Sequence, residues 1–408
     1  MTYPEYIKKC IDMLEDNGFS GYVVGGAVRD SLLGREVHDW DVATSALPDD
    51  TLRVFEDLRT IPTGLKHGTV TVLFDNGEGK NVPVEITTFR IDGEYLDNRH
   101  PSEVIFTPSV ADDLSRRDFT VNAMAFNEKE GLIDCFLGRE DLKNKLIRCV
   151  GEPKKRYGED ALRILRAFRF AAQLGFEIEE KTLSAASSCS SLLSNIARER
   201  IGAEFLKLIS AEGALYSLER MADVGVFSAL FPFVPVPNAQ TLKNVAKIEK
   251  GNAMTRLSAL ILPYNDEEKH EFICSLRLSN EQKRLVLRLC GASAYDLLQN
   301  EAELEYSARK FLALYDNISD MALEVLCKLS ERDKSLLEAF ADAVRREKQK
   351  RRCLDIASLA VDGSDILPLC ADEPSKVGKI LSALLDDVIE NPLHNDKEYL
   401  LALAGKLV

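Results

Sequence analysis

Two aspartates separated by one residue, Asp39 and Asp41, are the side chains whose type and spacing most clearly predict chemistry. On an extended strand successive side chains point to opposite faces, so these carboxylates face the same way while Trp40 and Val42 face the packing behind them. Two carboxylates this close repel each other unless a cation lies between them, and hard oxygen ligands suit Mg²⁺. We therefore predict that Asp39 and Asp41 are catalytic residues that bind Mg²⁺.

A glycine pair just upstream predicts a site for a phosphate chain. Gly25 and Gly26 follow a short apolar segment, and Arg29 comes three residues later. Small residues in a turn after a strand let backbone amides approach a phosphate chain, and a guanidinium can bind phosphate oxygens through two hydrogen bonds. Alternating acids on an exposed strand edge, and a lone glycine pair, are each common without such a role. Their combination in this order favours nucleotide binding.

Five sequence blocks occur in an order that matches a known family. They are GGAVRD (25–30), DWDVATSA (39–46), VEITTFR (84–90), RRDFTVNAMA (116–125) and EDALRILRAFRFA (159–171). The blocks resemble the motifs of the tRNA nucleotidyltransferase and poly(A) polymerase family, specifically the bacterial class II CCA-adding enzymes of the DNA-polymerase-β-like superfamily. They span about the first half of the chain. Trp40 departs from the pattern, because the family usually has an aliphatic residue there.

The resemblance extends the candidate nucleotide site beyond the glycine pair. Arg117 could bind triphosphate or ribose, and Asp118 could accept a hydrogen bond from the ribose 2′-hydroxyl, which would favour NTP over dNTP. Asn122 is a candidate support residue. Similarity to the family implies that Arg166 and Arg169 contact the incoming nucleotide, in particular its phosphates.

Glu85 is a candidate third acidic residue of the catalytic group. It lies in a predicted strand in which Val84 and Ile86 face away from it. A structural role in a salt bridge is the alternative for this glutamate.

Base selection is predicted for Asp160 and Arg163. Cytosine and adenine each present an amino donor beside a ring-nitrogen acceptor, whereas uracil and guanine present a carbonyl beside a ring N–H. A carboxylate beside a guanidinium therefore complements C and A and opposes U and G. Residues three apart on a helix share one face, so we expect both side chains to read one base. An ordinary surface ion pair at this spacing is the alternative.

The resemblance, together with these residues, implies a template-independent enzyme that adds CCA to the 3′ end of tRNA from CTP and ATP by two-metal nucleotidyl transfer. A poly(A) polymerase, or a relative that adds only CC or only A, shares the same motifs and stays open. A catalytically silent RNA-binding protein is the alternative from another class. The absence of a His-Asp pair in the second half predicts that no HD-type phosphohydrolase domain is attached.

The predicted fold class is α+β. Short strand patterns fill a nucleotidyltransferase head with a small mixed sheet (1–136). The predicted strands are 22–24, 39–43, 69–74, 84–88 and 122–126, and no strand is predicted beyond about residue 141. An all-α neck (137–205), body (206–300) and tail (301–408) follow, and the resemblance implies that the last parts bind the acceptor stem and TΨC arm of tRNA. The polar segment 91–107 is predicted to be a mobile loop beside the active site, which the family uses in switching from C to A addition.

Composition limits the partners and the location. The formal net charge is −14, which excludes a general nucleic-acid binder held by long-range attraction, although local basic clusters such as 345–352 could select one RNA shape. Nine cysteines form no Cys-x-x-Cys pair, and most of them, Cys135 included, have apolar neighbours in the sequence, so we expect reduced thiols in the core. No apolar run is long enough to span a bilayer. We expect a cytoplasmic protein that does not bind membranes.

Overall fold

A mixed β-sheet organises the N-terminal part of the chain. The computed structural model describes residues 1–93, 104–296, 301–350, 352–370 and 373–408. The strands are β1 (Gly21–Val24), β2 (Asp41–Thr44), β3 (Thr60–Gly64), β4 (Thr69–Asp75), β5 (Asn81–Thr88), β6 (Arg90–Asp92), β7 (Val104–Phe106), β8 (Ala125–Asn127), β9 (Gly131–Ile133), β10 (Leu146–Ile147) and β11 (Glu177–Ile178). Seven of them form one sheet in the order β3-β4-β5-β2-β1-β8-β9, in which only the β2–β5 pair is parallel.

The register of the β2–β5 pair places two acidic side chains next to each other. Asp41 pairs with Glu85, and the following residues, Val42 and Ile86, pair with each other. Val42 and Ile86 are buried, whereas the two acids reach solvent from among surrounding side chains, which partly desolvate Asp41. Since side chains alternate along a strand, the apolar residues fix the register and the acids must share the opposite face.

The helices are distributed over two compact units. The first unit contains Met1–Pro237 and Asp266–Arg277, and the second contains Asn238–Asn265 and Leu278–Val408. Helices of the first unit are α1 (Glu5–Asp16), α2 (Gly26–Leu32), α3 (Pro48–Val54), α4 (Val110–Ser115), α5 (Gly138–Asn144), α6 (Pro153–Glu159), α7 (Leu162–Leu174), α8 (Glu180–Ser188), α9 (Arg198–Ser210), α10 (Ala214–Asp223), α11 (Val226–Leu230) and α14 (Asp266–Ser275). Those of the second are α12 (Ala239–Lys247), α13 (Ala253–Ile261), α15 (Asn280–Ala292), α16 (Glu301–Tyr315), α17 (Ser319–Leu329), α18 (Lys334–Gln349), α19 (Gly363–Ile366), α20 (Val377–Glu390) and α21 (Lys397–Leu407).

Aromatic packing explains why α14 joins the first unit. Phe272 of α14 lies 4.5 Å from Phe231 and 6.0 Å from Phe205 between ring centroids, and all three rings are fully buried. Burial of large aromatic side chains is among the strongest packing contributions available to a helix. The predicted α+β class is confirmed, whereas the bounds of the four predicted domains stay predictions.

A buried arginine ties together helices of the second unit. Arg309 of α16 donates hydrogen bonds to the carbonyls of Ile389 and Glu390 at the end of α20, at 2.6 and 2.8 Å. Its guanidinium also lies 3.6 Å from the buried carboxylate of Glu347 on α18. Lys348, which belongs to the basic cluster 345–352, forms an ion pair with Asp320 of α17 at 2.7 Å.

Three sequence-based predictions of local structure are wrong. The strand expected to start at Asp39 starts at Asp41, and Asn122 lies in a 3₁₀ turn instead of a strand. Beyond residue 141, β10 and β11 form a parallel pair of two residues each, too short for any alternating pattern to indicate. The predicted loop at 91–107 has paired ends in β6 and β7, and its residues 94–103 lie outside the described structure.

No helix in the described part of the chain is long and apolar enough to cross a membrane. None of the nine cysteines, each of which lies in the described part of the chain, forms a disulfide. Cys10, Cys149, Cys290 and Cys370 are buried, but Cys135, which we expected in apolar surroundings, is exposed.

Candidate active site

The turn between β1 and α2 requires glycine at its first position. Gly25 has φ = +69°, a conformation that side chains with a Cβ disfavour, and an added Cβ would lie 2.9 Å from Nη1 of Arg117. Arg29, in the first turn of α2, pairs with Asp30 at 2.7 Å and donates a hydrogen bond to Oδ1 of Asn122 at 2.6 Å. The turn therefore places backbone amides, Arg29 and Arg117 beside one another.

Asp39, Asp41 and Glu85 form an acidic group in the site. Burial raises the pKa of Asp41, and the neighbouring charge of Glu85, with a smaller contribution from Asp39, raises it further against the opposing effect of Arg117. A raised pKa means that the folded protein disfavours the charge on Asp41, and a bound cation would remove that penalty.

Asp39 and Asp41 fit the ligand chemistry of magnesium. Within the described residues, no group of three or more His, Cys, Asp or Glu side chains is arranged to hold a metal ion. Mg²⁺ is commonly bound by one or two carboxylates and takes its remaining ligands from substrate phosphates and water. The pair of aspartates, whose charges repel without a cation, matches that mode of binding.

Asp118 lies at the centre of a hydrogen-bonded network. Its Oδ2 accepts from Nε and Nη2 of Arg166 at 2.8 and 2.6 Å, and its Oδ1 accepts from the amide of Asn122 at 3.3 Å. Burial alone would raise the pKa of Asp118, but the charge and hydrogen bonds of Arg166 bring it to about 2. Because Arg29 also binds Asn122, the network joins α2 to α7.

Asp113 positions the two arginines that precede Asp118. It is 1% exposed and binds Arg116 at 2.6 Å and Arg117 at 3.2 Å. Burial would raise the pKa of Asp113, but the charges of both arginines hold it below its ordinary value. Sequence reasoning missed this residue, although its spacing of three and four from the arginines is that of helical ion pairs.

Asp160 and Arg163 do not share the face of one helix as predicted. Asp160 follows the end of α6 in an extended conformation (φ −140°, ψ 104°), and α7 begins at Leu162. The side chain of Asp160 binds Arg200 of α9 at 2.7 Å, whereas Arg163 binds Glu159 at 2.6 Å. Both residues nevertheless border the same cavity.

Arg166 and Arg169 follow Arg163 on α7. Arg169 forms an ion pair with Glu204 of α9 at 2.6 Å, and its guanidinium lies 3.8 Å from the centroid of the Phe170 ring. Arg166 is 3.9 Å from the same glutamate. Stacking on an aromatic face and a paired carboxylate both restrict a long side chain to one position.

One cavity of about 820 Å³ brings all of the predicted site residues together. They are Gly25, Gly26, Arg29, Asp39, Asp41, Glu85, Arg117, Asp118, Asn122, Asp160, Arg163, Arg166 and Arg169. Their placement in one cavity is a structural result, and their individual roles stay predictions. The cavity also includes Arg200 and Lys207, which sequence reasoning missed. Both follow one face of α9 with Glu204, at helical spacings of four and three.

Family models match along most of the chain. Residues 21–148 match the family described as "Poly A polymerase head domain", residues 175–236 the family of the RNA and SrmB-binding site of polymerase A, and residues 247–404 the family "tRNA nucleotidyltransferase domain 2". The first match contains the acidic group together with Arg29, Asp118 and Asn122, whereas Arg166 lies beyond its end.

Relatives match over nearly the whole length. The CCA-adding enzyme of Enterococcus faecalis is 35% identical, over 99% of this chain and 97% of that protein. The CCA-adding enzyme of Leuconostoc citreum is 36% identical, over 98% and 95%. The crystal structure of the Bacillus stearothermophilus CCA-adding enzyme in complex with CTP is 30% identical, with a TM-score of 0.83 over 100% of this chain and 98% of that one. The chain belongs to the CCA-adding enzymes, within the tRNA nucleotidyltransferase and poly(A) polymerase family.

Proposed function

We propose that this protein adds CCA to the 3′ end of tRNA, using CTP and ATP and no nucleic-acid template. The proposal rests on one observation. The same cavity is lined by the acidic residues Asp39, Asp41 and Glu85 and by the side chains of Asp160 and Arg163. An enzyme of this kind must hold a triphosphate at a metal site and read a base in the same pocket. The names of the relatives, and the CTP in the Bacillus stearothermophilus structure, support the substrate class.

The acidic group would bind Mg²⁺ through Asp39 and Asp41, with Glu85 beside them. Two bound Mg²⁺ ions supply activation of the primer 3′-hydroxyl and stabilisation of the departing pyrophosphate. The protein's own residues hold the reactants for in-line attack. The Gly25-Gly26 turn offers backbone amides to the triphosphate, and Arg29 and Arg117 offer cationic donors on either side of it.

The network around Asp118 would orient the sugar and the phosphates. One oxygen of Asp118 is held by Arg166, and Asn122 fixes the other. This arrangement leaves the carboxylate in one position, from which it can accept a hydrogen bond from the ribose 2′-hydroxyl. Arg166 and Arg169 would contact the phosphates of the incoming nucleotide.

Asp160 and Arg163 would select the base. The carboxylate accepts from the amino group of cytosine or adenine, and the guanidinium donates to the ring nitrogen. Uracil or guanine would place acceptor against acceptor and donor against donor. Each unpaired buried polar group costs about 1–3 kcal/mol, so two mismatched contacts reject the wrong base strongly.

The body and tail (206–408) would bind the acceptor stem and TΨC arm of the tRNA, as the family resemblance implies. We place the activity in the cytoplasm, in keeping with free thiols and a tRNA substrate.

An extension assay tests the function. A tRNA trimmed of its whole CCA end is incubated with labelled CTP alone, ATP alone, or both, and product length is read on a gel. We expect two added residues with CTP alone and three with both nucleotides. A long tail from ATP alone would identify a poly(A) polymerase. A stop after CC in the presence of both nucleotides would identify a CC-adding enzyme, and extension by A only when a tRNA ending in CC is supplied instead would identify an A-adding enzyme. No extension of either RNA would favour a silent RNA-binding protein.

A further inference from the structure

Arg200 of α9 contacts the carboxylate to which we assign base reading. Its Nη2 donates to Oδ2 of Asp160 at 2.7 Å, and its Nη1 donates to Oδ1 at 3.4 Å. The side chains are 27% and 18% exposed, so the pair is largely removed from solvent. A bidentate contact of this kind fixes both the position and the plane of a carboxylate.

Arg163 has partners of its own. It binds Glu159 at 2.6 Å, and it donates to the backbone carbonyls of Arg156 and Arg116 at 3.2 and 2.9 Å. In the described structure no side-chain ion pair joins it to Asp160. If Arg163 and Asp160 formed an ion pair, the donors of Arg163 and the acceptors of Asp160 would bind each other and could not bind a base. Separate partners keep both available.

Hydrogen bonds to Asp160 leave little free acceptor capacity. A carboxylate offers about four acceptor positions. The backbone N–H of Leu162 and Nη1 of Arg200 bind Oδ1, at 3.0 and 3.4 Å, and Nη2 of Arg200 binds Oδ2. One position on Oδ2 is left among the described contacts. That single acceptor suits one amino N–H of a base.

We propose that Arg200 is a positioning residue that determines base specificity. By holding the Asp160 carboxylate in one orientation and apart from Arg163, it leaves one acceptor directed at the amino group that cytosine and adenine share. Without it, Asp160 can rotate toward Arg163, and the carboxylate no longer opposes the carbonyl of uracil. The inference rests on the proposed function, because it presupposes that Asp160 and Arg163 read the base.

The test compares incorporation of CTP and UTP into trimmed tRNA by the full-length protein and by Arg200→Met, which keeps an unbranched apolar stem and removes the guanidinium and its charge. We expect kcat/KM for CTP to fall while that for UTP is maintained, so that discrimination of CTP over UTP drops roughly 10- to 100-fold. Arg200→Lys keeps the charge but not the two-point contact and is expected to lose less discrimination. It also serves as the second variant should Arg200→Met not fold.

Arg220→Met is the matched control, because Arg220 occupies an exposed position of α10, where it pairs with Asp223, and does not line the cavity. It should leave the CTP to UTP ratio unchanged. An equal fall for both nucleotides in the Arg200 variants, or an unchanged ratio, overturns the inference while the proposed function stands. Failure of the unmodified protein to extend trimmed tRNA overturns the proposed function itself.

Discussion

Asp41 is a residue whose charge the fold does not favour. Its carboxylate lies opposite Glu85 in the sheet, and burial together with that neighbour raises its pKa. A group whose pKa is raised in the folded state makes the fold less stable when it is ionised. Such an arrangement is typical of functional sites, where a ligand supplies the missing compensation.

Asp41→Asn should therefore separate activity from stability. We expect kcat to fall at least about 100-fold, because the substitution removes a predicted metal ligand. The melting temperature should stay the same or rise, since a disfavoured charge is removed. Asp57→Asn, at an exposed position of the same unit, should change neither quantity. Retention of most of the activity by Asp41→Asn would contradict the predicted role.

Magnesium binding has a readout that does not depend on turnover. A ligand that binds only the folded state stabilises it by RT ln(1 + [L]/Kd), so the melting temperature rises with the ligand concentration. We expect millimolar Mg²⁺ to stabilise the unmodified protein in thermal scans and to have no such effect on Asp41→Asn. Equal stabilisation of both proteins would show that the ion binds elsewhere.

Asp118 behaves in the opposite way to Asp41, because its pKa is lowered to about 2 by Arg166 despite burial. A depressed carboxyl pKa contributes stability that is present above the unfolded-state value, near 4, and is lost as the pH falls toward 2. We expect Asp118→Asn to cost about 2 kcal/mol near neutral pH, from the size of the pKa shift. Its melting temperature should approach that of the unmodified protein at acidic pH. A difference that does not depend on pH would contradict this account.

Helix α9 must lie close to the segment that follows α14 for its charged side chains to reach the cavity. Gly202, between Arg200 and Glu204, is the position of closest approach, because a Cβ added there would lie 2.1 Å from the carbonyl oxygen of Leu276. The neighbouring group is backbone and cannot rotate away. The absence of a side chain at this position therefore sets how closely α9 packs.

Gly202→Ala is expected to destabilise the first unit by about 1–3 kcal/mol, since the clash forces a backbone shift. It should also lower kcat/KM for CTP, because Arg200 and Glu204 move with the helix. Gly158→Ala in α6 is the matched control, as an added Cβ there meets nothing within 4 Å. Differential scanning measurements on both variants would detect the effect, and equal melting temperatures would refute the packing argument.

Charge at the scale of the whole molecule is distributed unevenly. The net charge is −14, yet nine arginine and lysine side chains and only seven acidic ones line the cavity. Long-range attraction of RNA is therefore weak, and binding depends on local contacts with phosphates.

We expect trimmed tRNA to bind more tightly than an unrelated single-stranded RNA of equal length by at least about tenfold near physiological salt, because only a matching shape reaches the local cations. The affinity for tRNA should fall about tenfold between roughly 50 and 200 mM salt, as for two or three phosphate contacts. Fluorescence anisotropy measures both. Equal affinities for the two RNAs would indicate a general binder.

Features of the fold and the site could be predicted from the sequence where they depend on residues close together in the chain. The spacing of Asp39 and Asp41, and the block order that resembles the family, were enough to indicate the head and its acidic group. The strand start, the 3₁₀ turn at Asn122 and the two-residue strands were not predictable, because each depends on contacts with distant segments. Asp160 was placed on the wrong element for the same reason, since the end of α6 is decided by tertiary packing.

The sequence by itself determined which side chains could do chemistry, since residue type and short spacing fix donors, acceptors and charges. Only the tertiary structure decided their partners. It put Glu85 opposite Asp41 and gave Asp160 to Arg200, a residue 40 positions away, instead of to Arg163. The physical reason is that register and helix packing are set by burial of apolar faces, whose distant contacts no local pattern in the sequence specifies.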